Sequence, residues 1–398
     1  MKISQRVERV EYSAIRKLSP IAKRAEEAGK KIYHLNIGAP DIDVPDIYFD
    51  TFKNIERGAL PYAPSEGIKE LREAISKYYK DRNINYAPDE IIITSGASEA
   101  LLFAVEAVAD YNDEIITTDP FYTNYNTVFQ QLNVNIETFK TKPETGFAIP
   151  DKETIEKAVT DKSVAVLISN PTNPTGAMYS REELERICEV AIENDLFIIA
   201  DEVYREFIYD GNEFVSFGEL PGIEDRLILV DSISKRFAAC GARIGSIASK
   251  NKEFMAAMDK LTTSRLAVAT LEQVAAAKLY EETDEYFKKV NEEYQKRRDT
   301  IYEELNKIPG VSVEKPRGAF YIMPTLPVED SEDFAKWLLE SFDVDGETIM
   351  VAPANGFFKN PEDGKSMVRL AFILNNDKIK KSMRILKEGL KEYNLRNE

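Results

Sequence analysis

Residues 226–245 read RLILVDSISKRFAACGARIG. The run Leu227-Ile228-Leu229-Val230 has the pattern of a strand buried on both faces, and it breaks at Asp231 and Ser232. A single lysine, Lys235, follows in what reads as a short polar turn, next to Arg236 and eight positions before Arg243. A lysine with the usual pKa near ~10.4 is almost entirely ammonium at neutral pH and a poor nucleophile. Desolvation or a neighbouring cation lowers that value and frees the amine to capture a carbonyl group. Taken alone, the stretch fits a surface lysine at a strand-to-loop turn just as well, so the surrounding chain has to decide.

Outward from this segment the chain alternates. Strand-like runs at 90–94, 114–118, 164–168, 197–200, 227–230 and 243–248 are separated, for the most part, by helical patterns such as ALLFAVEAVA and REELERICEVAIEN. Short apolar strands alternating with helices predict a mostly parallel sheet covered on both faces, an α/β architecture. Ligands of such sheets gather beyond the carboxyl ends of the strands. The distinctive residues sit there: Gly96, Ala97 and Ser98 after one strand, Asn173 in NPTNPTG after another, Asp201 and Tyr204 in DEVY after a third.

Before this region, residues 1–17 read as an extended arm, and Ser19, Pro20 and Gly29 frame a short helix. A strand at 32–37 runs into Gly38, where a glycine allows close backbone approach or serves a turn. Ser65 is the expected cap of a helix carrying Ile68, Leu71, Ile75 and Tyr78. From about residue 251 the pattern is helical, with a long charged run at 271–305 broken near Thr283, and the last hundred residues mix strands and helices into a smaller α+β domain.

Composition excludes several classes. A net charge of -17 disfavours nucleic acid or an anionic membrane surface as partner, leaving small anions that a few clustered arginines can hold. One histidine, His34, rules out a multi-histidine metal site, and its place between Tyr33 and Leu35 in a strand-like run reads as structural, which disfavours a Ser-His-Asp triad; no metal is expected. Two cysteines, Cys188 and Cys240, give no disulfide framework. MKISQRVERVEY has no apolar signal core, and no window reaches the length of a membrane span, so a cytoplasmic location is expected.

NPTNPTG (170–176), DEVY (201–204), SISK (232–235), the arginine of GARIG (Arg243) and the arginine of MVRLAF (Arg369) together resemble the class I and II aminotransferases, pyridoxal phosphate enzymes of fold type I. The resemblance spans essentially the whole chain. It implies a seven-stranded-type sheet between helices and a division into 1–45 (arm and part of the small domain), 46–285 (large cofactor-binding domain) and 286–398 (small domain). It assigns Lys235 to hold the cofactor and move the proton, and Asp201 to face the pyridine nitrogen. Tyr204 and Asn173 would meet the cofactor's phenolic oxygen and Tyr122 its ring face. Gly96, Ala97, Ser98, Ser232 and Arg243 would hold its phosphate. Tyr62 would reach the phosphate in a neighbouring subunit, which implies a homodimer with shared sites. Arg369 would take the substrate α-carboxylate through its planar fork, helped by Asn173 and the Gly38 backbone.

Two departures bear on substrate. Ala242 stands where many relatives have tryptophan, and Ser98 stands where some aspartate-specific relatives have a lysine that reads the distal carboxylate. Arg265, in TTSRLAVAT, is the expected reader of that carboxylate in its place. The resemblance implies amino transfer from an L-amino acid to a 2-oxo acid by a ping-pong route, with aspartate and 2-oxoglutarate leading. Aromatic, alanine or branched-chain substrates, and a β-eliminating carbon-sulfur lyase on the same scaffold, are the alternatives. A nucleotide-binding α/β enzyme lacks its GxGxxG or GxxxxGK[ST] fingerprint here.

Overall fold

The computed structural model describes residues 1–55 and 58–397. Its centre is a seven-stranded sheet in the order Ile91–Thr94, Gly245–Ala248, Leu227–Ser232, Phe197–Asp201, Ser163–Ser169, Glu114–Asp119, Asn135–Lys140. Five neighbouring strands, from Leu227–Ser232 to Asn135–Lys140, pair in parallel. Gly245–Ala248 runs antiparallel to both of its neighbours. Sequence periodicity does not carry that reversal; the connection between Ser232 and Gly245 holds only the four-residue helix Ile233–Arg236 and a short turn, and no helix that crosses the sheet. The remaining strands therefore end at one edge, and Thr94, Asp119, Lys140, Ser169, Asp201 and Ser232 are their last residues.

Every residue of Ile91–Thr94, Leu227–Ser232 and Gly245–Ala248 is buried. Apolar clusters lie on both faces. One contains Leu71, Ile75, Ile91, Ile93 and Leu229; the other contains Ile92, Leu101, Ile115, Ile228 and Val230. Burial on both faces is why these strands read as continuous apolar runs rather than alternating ones.

A second unit is built on the helices Asp284–Leu305, Ser331–Glu340 and Asn376–Asn397 and on two small sheets. Lys31–His34 pairs in parallel with Glu347–Met350, and Val368–Ala371 lies between Ala352–Pro353 and Tyr321–Ile322. Its core reaches across to Tyr204, Phe207 and Tyr209, just beyond the strand that ends at Asp201. The two units are therefore packed at the sheet edge where the parallel strands end.

Local expectations differ from the structure in several places. The first seventeen residues are not simply extended: Gln5–Arg9 is a short exposed helix capped by Ser4, and Arg16 and Lys17 close a turn on the carbonyl of Ser13. Ser19 is the first helical residue rather than the cap. The helix after Ser65 starts only at Lys69, because Gly67 adopts φ +103 and bonds back to the carbonyl of Pro64. A side chain at Gly67 would overlap Ile93, so the glycine lets that turn lie on the sheet. The long charged run is broken as expected, into Thr270–Leu279 and Asp284–Leu305 with Thr283 at the junction. His34 bonds Glu26 at 3.0 Å, and Cys188 is buried on a helix face. Among the described residues no helix is long and apolar enough to cross a membrane.

Lys235 belongs to a short helix, Ile233–Arg236, rather than to an open turn. Its cap is Ser232, whose side chain accepts from the Ser234 amide at 3.1 Å. Arg236 pairs with Asp231 in the protein interior, and Asp231 also accepts from the Tyr79 hydroxyl at 3.2 Å. Arg205, paired with Glu202, lies 3.9 Å from the same carboxylate. Removing one member of a buried pair strands the other charge without solvent, at about 3–5 kcal/mol. Asp231→Ala is expected to lower the unfolding free energy of the cofactor-free protein by about that amount in urea titrations.

Candidate active site

Asp201 ends its strand 4% exposed, within hydrogen-bond reach of helix Thr123–Leu132. Tyr125 on that helix donates to its Oδ2 at 2.7 Å. Burial is the largest influence on the carboxyl and pushes its pKa up to about 6, against the lowering effect of the Tyr125 bond. A buried carboxylate with this much desolvation is stabilised by any cation placed against it.

Lys235 faces the same space. Its Nζ donates to the carbonyl of Gly38 at 2.8 Å and lies 3.9 Å from Cys240 Sγ. Burial lowers its pKa, Arg369 and Arg243 lower it further, and Cys240 and Asp201 act in the opposite direction. Both devices expected from sequence are present, desolvation being the larger. Gly38 can come this close only because it has no side chain: a Cβ there would overlap the Tyr321 hydroxyl.

A donor-rich end of the cavity lies at the start of helix Gly96–Val108. Ala97 and Ser98 line the cavity there, with Ser232 and Arg243 from the lysine segment. Arg243 is held in a left-handed conformation, φ +55, and donates to the carbonyls of Cys240 at 3.1 Å and Ser95 at 3.3 Å. Gly96 sits under this guanidinium at φ +74, where a Cβ would overlap it. Helix N–H groups, the Ser98 hydroxyl and a guanidinium form a donor set for a phosphate, with Ser232, whose hydroxyl bonds the carbonyl of Ile244 at 2.9 Å, beside them.

The opposite end is Arg369, 1% exposed on the strand Val368–Ala371. It donates from Nη1 to Asn173 Oδ1 at 2.9 Å and from Nη2 to the carbonyl of Asn36. Its guanidinium lies 4.4 Å from the Tyr321 ring centre. Its Nε is buried with no partner, and no carboxylate pairs with it among the described residues. The Tyr204 and Tyr321 hydroxyls are 2.8 Å apart, and the Tyr122 ring packs edge-on against Tyr125 at 5.4 Å.

These groups enclose a cavity of about 410 Å³. Of the residues singled out in the sequence, it is lined by Gly38, Ala97, Ser98, Tyr122, Asn173 and Asp201, and by Tyr204, Ser232, Lys235, Arg243 and Arg369. Gly96 lies behind Arg243. Tyr62, 82% exposed, and Arg265 are outside it. Arg265 donates to the carbonyls of Ser65 at 3.3 Å and Ile93 at 3.2 Å and lies 3.5 Å from Glu99. Sequence reasoning missed Tyr125, Tyr321 and Asn36, and it missed that Ser13, Ile15 and Arg16 of the arm line the cavity. For Tyr125 a signal existed, one helical turn beyond Tyr122; the others are brought in by tertiary packing alone.

The family model described as aminotransferase class I and II matches residues 30–386. An aspartate aminotransferase of Bacillus subtilis is 30% identical over 404 aligned residues, covering 99% of this chain and 100% of the relative. An aromatic-amino-acid aminotransferase of Thermococcus litoralis is 32% identical over 99% of this chain and 100% of its own length. A solved alanine aminotransferase of Pyrococcus furiosus superposes with a TM-score of 0.90 at 32% identity, covering 98% of this chain and 100% of that one. The chain belongs to the class I and II aminotransferases, enzymes that work with pyridoxal phosphate. Its cavity fits that cofactor: a phosphate-type donor set at one end, an amine of lowered basicity at Lys235, and a buried carboxylate at Asp201 suited to a protonated ring nitrogen.

Two measurements test this geometry. Gly96→Ala combines a strained φ with displacement of Arg243, so cofactor affinity should fall about 5- to 100-fold, equivalent to about 1–3 kcal/mol, in equilibrium titrations. The second concerns Asp201, whose folded pKa of about 6 exceeds the ordinary carboxyl value of 3.8. Between these values the folded cofactor-free protein holds a proton that the unfolded chain has released, so stability falls as pH rises from about 4 to about 6 and then levels. Asp201→Asn removes this component, and its stability relative to the unaltered protein should climb by on the order of 3 kcal/mol across that window in urea titrations at stepped pH.

Proposed function

We propose that this chain transfers the amino group of an L-amino acid, aspartate the leading donor, to a 2-oxo acid such as 2-oxoglutarate in two alternating half-reactions. The observation that carries the reading is Lys235, a largely desolvated amine facing one cavity with Arg369 and Asp201. Pyridoxal phosphate, when bound, supplies the carbonyl that captures the amino group and the electron sink that makes the substrate α-proton removable.

The chain's own groups would divide the remaining work. Gly96, Ala97, Ser98, Ser232 and Arg243 would hold the phosphate, and Tyr122 the ring face. Asp201, oriented by Tyr125, would keep a proton on the ring nitrogen. Asn173 and Tyr204 would bond the phenolic oxygen, with Tyr204 steadied by Tyr321. Arg369, with Asn173 and the Gly38 backbone, would take the α-carboxylate, giving the stranded Nε a partner. The Lys235 Nζ would then take up the substrate α-proton and deliver it to the cofactor carbon that had carried the carbonyl oxygen.

The enzyme would work as a cytoplasmic homodimer. Tyr62, exposed and outside its own cavity, would complete the phosphate site of a neighbouring copy. Arg265 would reach a neighbour's substrate only by giving up its contacts with Ser65, Ile93 and Glu99. Residues 46–285 would form the large domain, and 286–398 with 1–45 the arm and small domain.

The test is the visible spectrum of the cofactor-loaded protein beside a Lys235→Ala control. A lysine-dependent band that L-aspartate or L-glutamate bleaches and 2-oxoglutarate restores is the expected result. Absence of any lysine-dependent band defeats the reading. Catalytic release of pyruvate and ammonia from cystathionine, with no second amino acid, would instead favour the carbon-sulfur lyase.

A further inference from the structure

The cavity contains a cation to which neither the cofactor nor the α-carboxylate gives a role. Arg16 lines it together with Lys235, Arg243 and Arg369, but comes from the arm that precedes both domains. Its only hydrogen bonds among the described residues are those of its backbone, to Ser13 and from Ser19. The guanidinium itself is exposed and makes no ion pair there.

The backbone on either side of Arg16 is fixed. Ala14 and Leu18 are buried at 7% and 3% exposure. Ala14 packs onto Gly356, where any side chain would overlap it. Lys17 bonds Asn355 at 3.3 Å and pairs with Glu332. Asn36, fully buried, donates from Nδ2 to the carbonyl of Ile15 at 2.8 Å, while its own carbonyl accepts from Arg369. One residue thus ties the peptide beside Arg16 to the guanidinium that ends the cavity. The positive charge of Arg16 also acts on the Tyr122 hydroxyl.

We propose that Arg16 is the specificity-determining residue that reads a side-chain carboxylate, so that the site takes dicarboxylic amino acids and 2-oxo acids. This rests on the aminotransferase reading, with the α-carboxylate on Arg369 and the phosphate on Arg243. Once those anions are assigned, Arg16 is the cavity arginine left over, and a distal carboxylate is the substrate anion left over. Ser98 offers no charge for this task, and Arg265 does not line the cavity. A guanidinium on an anchored backbone gives a planar two-point match to a carboxylate. Its exposure lets the side chain turn outward when the substrate is uncharged, so selectivity is graded rather than absolute.

The experiment compares the unaltered enzyme with Arg16→Gln, Arg16→Lys and Arg265→Ala on L-aspartate, L-glutamate, L-alanine and L-phenylalanine. For Arg16→Gln, kcat/KM on the dicarboxylic pair relative to the neutral pair should fall about tenfold or more, carried mainly by KM, with part of the loss restored in Arg16→Lys. Calorimetric titration with glutarate and with butyrate reads binding without turnover: the unaltered protein should prefer glutarate, and Arg16→Gln should lose that preference. An unchanged substrate ratio, equal losses on both classes, no glutarate preference in the unaltered protein, or a ratio moved by Arg265→Ala and not by Arg16→Gln overturns the proposal. If no amino acid reacts yet the glutarate preference depends on Arg16, the aminotransferase reading fails while the anion assignment stands.

Discussion

Among the described residues, Arg369 is a full charge buried without a counter-charge. Its partners are an amide oxygen, a backbone carbonyl and the faces of two aromatic rings, and one nitrogen has no partner. A buried ion left this way costs several kcal/mol unless something else supplies the missing charge. Burial also lowers the guanidinium pKa, the signature of a group held where water is scarce. The fold tolerates the arrangement because strand Val368–Ala371 is fixed between two neighbours and Asn36 and Asn173 close on it from other parts of the chain. A small carboxylate removes the imbalance.

The same reasoning extends across the cavity. The chain carries a net charge of -17, yet Arg369, Arg243, Arg16 and Lys235 face one space in which Asp201 is the facing carboxylate. An acidic protein with a locally cationic cleft repels anions broadly and admits them at one place. Asp201 and Lys235 are coupled through burial: desolvation raises the carboxyl and lowers the amine, so each moves toward its neutral form. A carboxyl and an amine that both titrate closer to neutrality than usual exchange their protons at a smaller cost than ordinary ones.

How much of this was legible in the sequence depends on the kind of contact. Asp201, Asn173 and Lys235 were readable because each follows an apolar run, and parallel strands deliver their ends to a common edge. Leu71, Ile75 and Tyr78 were readable from helical spacing, while the start of their helix was not, since Gly67 takes a left-handed turn to clear Ile93. The reversal at Gly245–Ala248 was hidden because a strand buried on both faces reads alike in either direction. Tyr321 and Asn36 were hidden for another reason: their roles exist only where the two units meet, and no local pattern marks that meeting.

The pairing of Lys31–His34 with Glu347–Met350 joins segments 316 positions apart. By contrast, the large sheet is drawn entirely from residues 91–248. During synthesis the sheet that carries Asp201 and Lys235 has all its strands well before the partner of residues 31–34 emerges. Closing so long a loop is the slow, entropically costly step in such a topology. Arg369 lies beyond Glu347–Met350, and Asn36 just past its partner strand, so Arg369 takes its place in the cavity only once this long-range pairing has closed, whereas Asp201 and Lys235 lie within one contiguous stretch of chain. Chain order thus lets the large sheet assemble before Arg369 closes the cavity.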